Sequence, residues 1–292
     1  MKKIQLTDKR WIGKGESPFI IAEIGNNHNG EIKIAFDLIE KAKLAGASAV
    51  KFQMKDVEEA FDKELLDKSY EGPNSFGKTY REHKLALEFS EEEMKKIYEF
   101  ADKLDIICFA TPFDVNSVDL LERIGNPIYK ISSFHVTDMK LIEKIAKTKK
   151  PILMSTGMSS MEEIENAVNL IKKFNQNFAL FQCTSCYPTD DEDVNLRVIP
   201  TLEKKFDCPV GYSGHERGTS ISVAAITMNA CMIERHFTLD RTMKGPDHAS
   251  SVEPAGLKLL VERANRVFKA LGVEQKSVLD SELANRKKFR GY

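Results

Sequence analysis

Eight short apolar segments alternate with eight segments of helical periodicity, and this repeat constrains the fold more than any other feature of the chain. The apolar segments predict strands at residues 19–24, 49–52, 106–110, 128–131, 151–154, 178–183, 209–212 and 231–236. The predicted helices occupy residues 31–45, 90–104, 116–124, 139–148, 161–174, 195–206, 219–229 and 254–271. Strands that are apolar along their whole length are typical of parallel sheets, which are buried on both faces. Eight strand–helix units in this length favour a single-domain α/β fold, the (β/α)8 TIM barrel, over a doubly wound sheet. No glycine-rich dinucleotide fingerprint follows any strand.

The predicted barrel leaves a short segment at each end of the chain. We expect residues 1–18 to be an N-terminal lead-in, residues 19–280 to be the catalytic barrel and residues 281–292 to be a charged C-terminal tail. The polar segment 56–89, between the second strand and its helix, is unusually long. A connection of this length in a compact domain is usually functional.

Charge and cysteine usage exclude several classes of protein. The chain has 43 Lys and Arg residues against 44 Asp and Glu residues, so its formal charge of −1 gives no long-range attraction to nucleic acid or anionic lipid. The N-terminus lacks the apolar region of a secretory signal, and the apolar stretch 221–233 is too short and too polar to cross a bilayer. Five cysteines form no disulfide framework, so we expect a cytoplasmic protein with reduced thiols. Cys183 and Cys186 match C-x-x-C, but they follow a strand instead of opening a helix, which favours a structural role over a redox role.

Polar or ionisable residues stand at the predicted carboxyl end of every strand, which is where TIM barrels carry their chemistry. They are Glu23, Lys51, Gln53, Thr111, Lys130, Ser132, Ser133, Ser155, Thr156, Thr184, Ser185, Tyr187, Ser213, His215, Glu234 and His236. Lys51 and Lys130 each follow a buried apolar run, and a buried lysine needs an anionic partner or a lowered pKa. Because few carboxylates stand at those ends, we expect the ligand to supply the negative charge as phosphate or carboxylate.

Two histidines end neighbouring strands of the predicted barrel, His215 on the seventh and His236 on the eighth. With Glu23 and Asp247 nearby, they could hold a divalent metal, and nitrogen and oxygen ligands suit an ion such as Mn²⁺. The alternative is that these imidazoles only form hydrogen bonds in the pocket. The run Gly245-Pro-Asp-His248 predicts a rigid loop that presents Asp247.

Two further histidines lie in connections of the predicted barrel. His28 belongs to the first loop after a strand and is expected to face the rim of the pocket. His83 lies in the long polar segment and is expected to be solvated.

At these residues the chain resembles the N-acetylneuraminate (sialic acid) synthase family, over most of its length from Phe19 to Arg286. The matching motifs are Ala22-Glu-Ile-Gly-Asn-Asn-His-Asn-Gly30, Val50-Lys-Phe-Gln53, Ala110-Thr-Pro-Phe113, Cys183-Thr-Ser-Cys-Tyr-Pro188, Gly211-Tyr-Ser-Gly-His215, Glu234-Arg-His-Phe-Thr-Leu-Asp240 and Gly245-Pro-Asp-His248. The resemblance implies condensation of phosphoenolpyruvate with an open-chain amino sugar aldehyde. The implied products are a nonulosonic acid, which is a 2-keto-3-deoxy sugar acid, and phosphate. It also implies a divalent metal cofactor, with Mn²⁺ expected and Mg²⁺ or Co²⁺ as alternatives.

The same resemblance implies a role for each site residue. Phosphoenolpyruvate is expected to be held by Lys51, Thr111, Lys130, Ser133, Ser155, Ser185 and Ser213. The metal ligands are expected to be His215 and His236, and the residues facing the sugar are expected to be Gln53, Asn74, Tyr187 and Asp247. Glu23 would lie between the metal and the reacting centre, where it is our candidate for activating water.

The chain departs from the family pattern in three places. His135 stands where sialic acid synthases carry an acidic sugar-binding residue, and Ser185 stands where asparagine is common, which leaves the acceptor sugar open. Family members usually continue into a C-terminal antifreeze-like domain, whereas this chain ends at Tyr292, where that domain would begin. We therefore expect the antifreeze-like domain to be absent, in a truncated piece or in a barrel-only member. The family forms dimers, so a homodimer is also considered.

Three other functions fit parts of the pattern. A class I aldolase would use Lys51 or Lys130 to form a Schiff base and would need no metal. A metal-dependent hydrolase would need more ligands at the first strand than Glu23 and His28 supply. A barrel that binds sugar without turnover is the non-catalytic alternative.

Overall fold

The computed structural model describes residues 2–292 and contains ten strands within that range. The strands are β1 (Lys3–Thr7), β2 (Arg10–Gly13), β3 (Phe19–Gly25), β4 (Ala49–Met54), β5 (Ile107–Pro112), β6 (Tyr129–Ile131), β7 (Ile152–Ser155), β8 (Phe178–Cys183), β9 (Val210–Gly214) and β10 (Met232–His236). Strands β3 to β10 pair in parallel, and β10 closes on β3 to complete an eight-stranded barrel. The predicted TIM barrel is therefore confirmed.

Helices surround the barrel and fill the longer connections. They are α1 (Ile32–Leu44), α2 (Val57–Ala60), α3 (Lys63–Leu66), α4 (Tyr80–Leu85), α5 (Glu91–Lys103), α6 (Val115–Arg123), α7 (Met139–Lys147), α8 (Met161–Phe174), α9 (Val198–Phe206), α10 (Ser220–Thr227), α11 (Pro254–Leu271) and α12 (Asp280–Arg290). Within residues 2–292, no helix combines the length and the apolar character that crossing a membrane requires.

The outer helices form because their apolar residues recur at helical spacing and their first turns are capped. In α7, Leu141, Ile142, Ile145 and Ala146 form one buried face against the strands. Helix α5 begins with a capping box, as predicted, in which the Ser90 hydroxyl accepts from the backbone N–H of Glu93 and the Glu93 carboxylate accepts from the backbone N–H of Ser90. These helices fix the strands from outside, so the loops at the carboxyl ends are free to carry polar groups.

The predicted lead-in is in fact a β-hairpin that closes the barrel at the amino ends of its strands. Strands β1 and β2 pair in an antiparallel ladder in which Ile4 faces Ile12. Both side chains are buried in one apolar cluster with Phe19 and Phe109 of the barrel. Burying an isoleucine side chain contributes about 1.5–3 kcal/mol, which explains why this short hairpin is ordered. Sequence analysis missed it because each strand is too short for a clear period of two.

The long segment after β4 contains α2, α3 and α4 and is packed by its own aromatic residues. His83 lies in this segment and is only 1% exposed, so the prediction that it is solvated was wrong. Its ring contacts the Tyr70 ring, with 4.6 Å between centroids, and its Nδ1 accepts a hydrogen bond from the backbone N–H of Phe76. Burial lowers the pKa of His83 to about 4.

The C-terminal residues that were predicted to be a charged tail form α12. All residues of this helix are exposed except Arg286, which is half-buried. The division into a lead-in, a barrel and a tail stays a prediction for the protein as a whole.

Candidate active site

The carboxyl ends of the barrel strands bring the predicted site residues to one mouth of the molecule. Strand side chains alternate between faces, so Lys51, Gln53 and Lys55 lie on the same face of the chain at β4. On β10, Glu234 and His236 share the inner face, while Arg235 lies on the outer face. Register aligns His236 of β10 with Glu23 of β3, and Glu23 with Lys51 of β4. Three predicted residues on separate strands are therefore neighbours because the barrel closes.

Two buried lysines and two buried carboxylates occupy the floor of the mouth. Lys51 Nζ lies 2.7 Å from Glu23 Oε2 and 3.8 Å from Glu234 Oε1. Lys130 Nζ lies 3.6 Å from the same Glu234 oxygen, so Glu234 stands between the two ammonium groups. The expectation that few carboxylates accompany these lysines was wrong, because Glu234 reaches them from the last strand across the barrel.

Hydroxyl groups complete the floor around the charged residues. Lys51 Nζ donates to Thr111 Oγ1 at 3.0 Å, and Lys130 Nζ donates to Ser155 Oγ. The Ser213 hydroxyl donates to Glu234 Oε1 at 3.3 Å. These short side chains can rotate, so they can exchange their present partners for the oxygens of a ligand.

The electrostatics keep Lys51 protonated. Burial acts to lower the pKa of Lys51, but the charges of Glu23 and Glu234 outweigh it and raise that pKa above its usual value. For Lys130, burial dominates and lowers the pKa, with Lys51 adding repulsion and Glu234 opposing the shift. Burial acts to raise the pKa of Glu234, yet Lys130 and Lys51 hold it below its ordinary value. The floor thus holds ammonium and carboxylate groups side by side, and an anionic ligand can change which of these groups pair with each other.

A second group of donors lies beside Lys130 at the turn after β7. The backbone N–H of Gly157 donates to Ser133 Oγ at 3.0 Å. A Cβ added at Gly157 would lie 2.3 Å from Ser185 Oγ and 2.8 Å from Ser133 Oγ. The predicted residues Ser133 and Ser185 therefore meet over a glycine, and together with its backbone they form a cradle suited to oxyanions.

The two predicted metal ligands, His215 and His236, are neighbours, with 5.7 Å between their ring centroids. Nδ1 of His215 lies 2.9 Å from the carbonyl oxygen of Thr184, which can only accept, so this nitrogen carries a proton and Nε2 is the nitrogen left for a metal. Nδ1 of His236 is buried without a hydrogen-bond partner, and the Asp247 carboxylate lies 4.0 Å from it.

These donors fit a divalent metal. A buried imidazole nitrogen without a partner is costly, and a metal ion would satisfy it. No cluster of three or more His, Cys, Asp or Glu side chains in residues 2–292 forms a complete metal site. Within residues 2–292, the side chains that could bind a metal at this point are the two imidazoles, and its remaining ligands would have to come from substrate or water.

Glu23 connects the floor to the imidazoles. Its Oε1 accepts from Gln53 Nε2 at 3.0 Å, while its Oε2 pairs with Lys51. A Cβ added at Gly25 would lie 3.3 Å from this carboxylate, 3.3 Å from Gln53 Nε2 and 3.4 Å from His236 Cε1. Gly25 has a φ of +54°, a conformation that favours glycine, so it also keeps this space open.

Above the floor is a cavity of about 380 Å³. Its lining includes five predicted residues, which are Gln53, His135, Tyr187, His236 and Asp247. It further includes residues that sequence analysis missed, which are Asn26, Lys55, Ala60, Phe61, Tyr80, Lys84, Phe113 and Phe134. Lys55 could have been found, because it continues the alternation of Lys51 and Gln53, and Asn26 and Phe113 could have been found because they lie in the family motifs. The positions of Ala60, Phe61, Tyr80 and Lys84 depend on how the long segment 56–89 folds, and that of Phe134 depends on the turn after β6. Asn74 is outside this lining, but its side-chain oxygen accepts from the backbone N–H of Gly245 at 3.3 Å, next to the loop of Asp247.

One residue near the mouth, His28, differs from expectation. His28 is buried instead of facing the rim: its ring stacks on Phe89 with 4.1 Å between centroids, and its Nδ1 accepts from the backbone N–H of Gly30. Burial, with the nearby charge of Lys55, lowers the pKa of His28 to about 3. Cys183 is buried beside the site while Cys186 is exposed, and all five cysteines are free.

The fold and this site together define a TIM-barrel protein whose carboxyl mouth places buried ammonium and hydroxyl groups next to a pair of imidazoles. The chain belongs to the NeuB family, whose family model matches residues 38–276. This finding confirms the resemblance that the motifs indicated.

Three similar proteins support the assignment. The chain is 42% identical over 288 residues to the N-acetylneuraminate-9-phosphate synthase of Homo sapiens, covering 98% of this chain and 80% of that protein. It is 40% identical over 272 residues to the N,N'-diacetyllegionaminic acid synthase of Campylobacter jejuni, covering 91% of this chain and 81% of that protein. Among solved structures, the N-acetylneuraminic acid (sialic acid) synthetase of Leptospira borgpetersenii in complex with citrate superposes with a TM-score of 0.88 at 35% identity, covering 100% of this chain and 98% of that chain.

Proposed function

We propose that this protein condenses phosphoenolpyruvate with an open-chain amino sugar aldehyde to give a sialic-acid-like 2-keto-3-deoxy sugar acid and phosphate. The enzyme is a transferase that forms a C–C bond. The observation that carries the proposal is the juxtaposition at one mouth of two buried lysines, an oxyanion cradle and two imidazoles. Membership of the NeuB family supports the same reaction.

Phosphoenolpyruvate carries its charge on a carboxylate and a phosphate, and the floor provides for both. Lys51 and Lys130 supply the two buried positive charges. The hydroxyls of Thr111 and Ser155 contact these ammonium groups, and the Ser213 hydroxyl contacts the Glu234 carboxylate between them. The cradle of Ser133, Gly157 and Ser185 supplies further donors beside Lys130. Donors held in place by buried packing stabilise developing negative charge without a reorganisation cost.

The sugar aldehyde is proposed to occupy the upper cavity, against Gln53, Tyr187 and Asp247. His215 and His236 would hold a divalent metal, which would polarise the aldehyde oxygen as a Lewis acid. The methylene carbon of phosphoenolpyruvate then forms a bond to the aldehyde carbon, and the aldehyde oxygen gains a proton. Tyr187 packs on the His215 ring, with 4.1 Å between centroids, so it can fix the sugar beside that imidazole.

Water must add to the former enol carbon before phosphate leaves. Glu23 is our candidate for accepting the proton of this water, since its carboxylate lies between Lys51 and Gln53 and reaches both the floor and the cavity. The resulting hydroxyl gives its remaining proton to the departing phosphate, so its oxygen becomes the keto oxygen as the bond from that carbon to the phosphate oxygen breaks. The proton that Glu23 accepts balances the proton gained by the aldehyde oxygen. Lys51 and Lys130 hold the charges of the departing phosphate.

A class I aldolase that uses Lys51 is disfavoured by the state of that residue, whereas the lowered pKa of Lys130 leaves an aldolase that uses Lys130 to the trapping experiment. A Schiff-base lysine must lose its proton to act as a nucleophile, whereas Glu23 and Glu234 raise the pKa of Lys51. Sodium borohydride with a keto substrate would trap a Schiff base, and we expect no covalent adduct by mass spectrometry.

Three finer features belong to the proposal. We propose Mn²⁺ as the metal, because imidazole and carboxylate ligands suit it, with Mg²⁺ and Co²⁺ as alternatives. A homodimer is proposed from the family resemblance. A cytoplasmic location is proposed from the five free cysteines.

The test is an assay of phosphate release with the protein, Mn²⁺, phosphoenolpyruvate and a panel of amino sugars with and without a terminal phosphate. We expect release only when an acceptor is present, with a product heavier than the acceptor by the three-carbon unit. Phosphate release without any acceptor, or the absence of release with every acceptor, would contradict the proposal. Omitting Mn²⁺ after chelation tests the metal separately.

A further inference from the structure

A buried ion pair joins the residue after His215 to the residue before His236, and the proposed reaction does not use it. Glu216 directly follows His215 in the chain, and Arg235 directly precedes His236. The Arg235 guanidinium lies 2.7 Å from the Glu216 carboxylate, with side-chain exposures of 2% and 0%. We call Arg235 and Glu216 the Arg–Glu clasp.

The clasp lies where the backbone ladder between β9 and β10 ends. The last register pair of these strands joins Arg235 to Gly214, so each histidine lies one residue beyond it. The side chain of Arg235 crosses from the end of β10 to the residue after His215. Beyond the last backbone pair, the Arg235–Glu216 contact therefore joins β10 to the end of β9 next to the two histidines.

The hydrogen bonds of the clasp fix backbone as well as side chains. Arg235 donates from Nη1 to the Gly218 carbonyl at 2.7 Å and to Ser222 Oγ at 2.8 Å, and from Nη2 to the Glu216 carbonyl. Glu216 in turn accepts from the Ser222 hydroxyl at 2.8 Å and from the Tyr212 hydroxyl at 2.7 Å. Glu216, the residue that follows His215, is therefore held at its carbonyl and through its side chain by groups on β9, β10 and α10.

Stability alone does not account for two charges at this position. The outer face of a barrel strand packs against helices, and apolar residues usually occupy such a site. Replacing a buried ion pair by apolar residues of similar size is often neutral or stabilising, because burying charge has a desolvation cost. Gly214 also makes room for the pair, since a Cβ there would lie 2.4 Å from Glu216 Oε2. What the clasp supplies beyond packing is a fixed geometry.

We propose that Arg235 and Glu216 are positioning residues that set the separation and orientation of His215 and His236 for the metal. This inference rests on the proposed function, since it assumes that the two imidazoles bind a divalent ion. Removal of groups that orient metal ligands typically weakens metal affinity by about 10- to 100-fold. A loss of that size is expected when the clasp is removed.

The test compares Mn²⁺ affinity among variants by the electron paramagnetic resonance signal of the free ion, with no substrate present. The double substitution Arg235→Met with Glu216→Leu removes both charges and keeps most of the volume. The matched control is Arg123→Met with Glu91→Leu, which removes a half-exposed ion pair of 2.8 Å between α5 and α6. We expect the clasp variant to fold and to bind Mn²⁺ about 10- to 100-fold more weakly, while the control binds like the wild type.

A conservative substitution provides a second measurement if the double variant does not fold. Arg235→Lys keeps the charge beside Glu216, but an ammonium lacks the planar fork that also reaches the backbone carbonyls. We expect its Mn²⁺ affinity to fall between those of the wild type and the double variant. A merely structural clasp would change the unfolding midpoint of these variants and leave the Mn²⁺ affinity of the folded protein unchanged.

The outcomes separate the two proposals. If the folded clasp variant binds Mn²⁺ within twofold of the wild type, the positioning role is overturned and the proposed function stays intact. If the double variant does not fold, the same result with Arg235→Lys has the same meaning. A wild-type protein that binds no Mn²⁺, or binds it equally well after His236→Ala, would overturn both the metal role and this inference.

Discussion

Replacing Lys51 by methionine should separate the two tasks of this side chain, which are balancing buried carboxylates and binding phosphoenolpyruvate. Lys51 is 3% exposed, and its ammonium contacts Glu23 at 2.7 Å and Thr111 at 3.0 Å. Methionine keeps the length of the buried stem and removes only the charge and the donors. The substitution therefore tests electrostatics with little change in packing.

The magnitude of each effect follows from these contacts. A charge-assisted hydrogen bond contributes about 1.5–3 kcal/mol, so losing one to phosphoenolpyruvate should weaken its binding by about 10- to 100-fold. Removing one partner of a buried ion pair costs about 3–5 kcal/mol, because Glu23 is then left without its cation. The variant should thus lose both affinity and stability.

The assay measures binding and folding in parallel. Calorimetric titration gives the affinity for phosphoenolpyruvate, and urea unfolding gives the free energy of unfolding. A second variant combines Lys51→Met with Glu23→Gln, which removes the unbalanced carboxylate. We expect it to recover much of the lost stability while its affinity for phosphoenolpyruvate stays low. A folded Lys51→Met protein that binds phosphoenolpyruvate like the wild type would refute the assigned role of Lys51.

Four other substitutions or treatments have defined expected results. His236→Ala should abolish phosphate release and change the urea midpoint little, since the side chain lies on the mouth and not in the packed core; a large loss of stability would contradict this. Chelation should abolish activity and Mn²⁺ should restore it, and activity that survives chelation would reject the metal role. Gly25→Ala should lower kcat at least tenfold, because the new Cβ crowds Glu23, Gln53 and His236 and the φ of +54° is strained; unchanged kcat would show that this space is not used. Burial lowers the pKa of His28 to about 3, so below pH 6.5 the unfolded chain binds a proton at His28 that the folded chain does not. His28 alone should therefore lower wild-type stability by up to about 1.4 kcal/mol per pH unit from pH 6 to 4, and His28→Gln should show a fall in urea unfolding that is shallower by that amount.

Local periodicity was sufficient to predict the barrel, because a strand that is buried on both faces needs an uninterrupted apolar run. For example, residues 178–183 were predicted as a strand and form β8. Boundaries were less certain: the helix predicted at 195–206 begins only at Val198, after a short 3-10 turn at Asp191–Asp193. Short elements were missed, as in the β1–β2 hairpin, since four or five residues do not establish a period.

The positions of the site residues were predictable because the carboxyl ends of barrel strands all face one way. The contacts that these residues make with one another were less predictable. Glu234 was recognised as a polar strand end, but nothing in its sequence context shows that it lies between Lys51 and Lys130. The burial of His83 was also missed, because its aromatic neighbours are scattered through a loop that has no regular period.

The sequence by itself determined the order of strands and helices, the family motifs and the mouth at which polar groups gather, since each depends on residues that are close in the chain. Only the tertiary structure decided which charges meet. Closure of β10 on β3 places His236 beside Glu23, and the turn after β9 brings Glu216 under Arg235. These contacts join residues that are far apart in sequence, and their distances depend on strand register and on the curvature of the closed barrel, which no local pattern records.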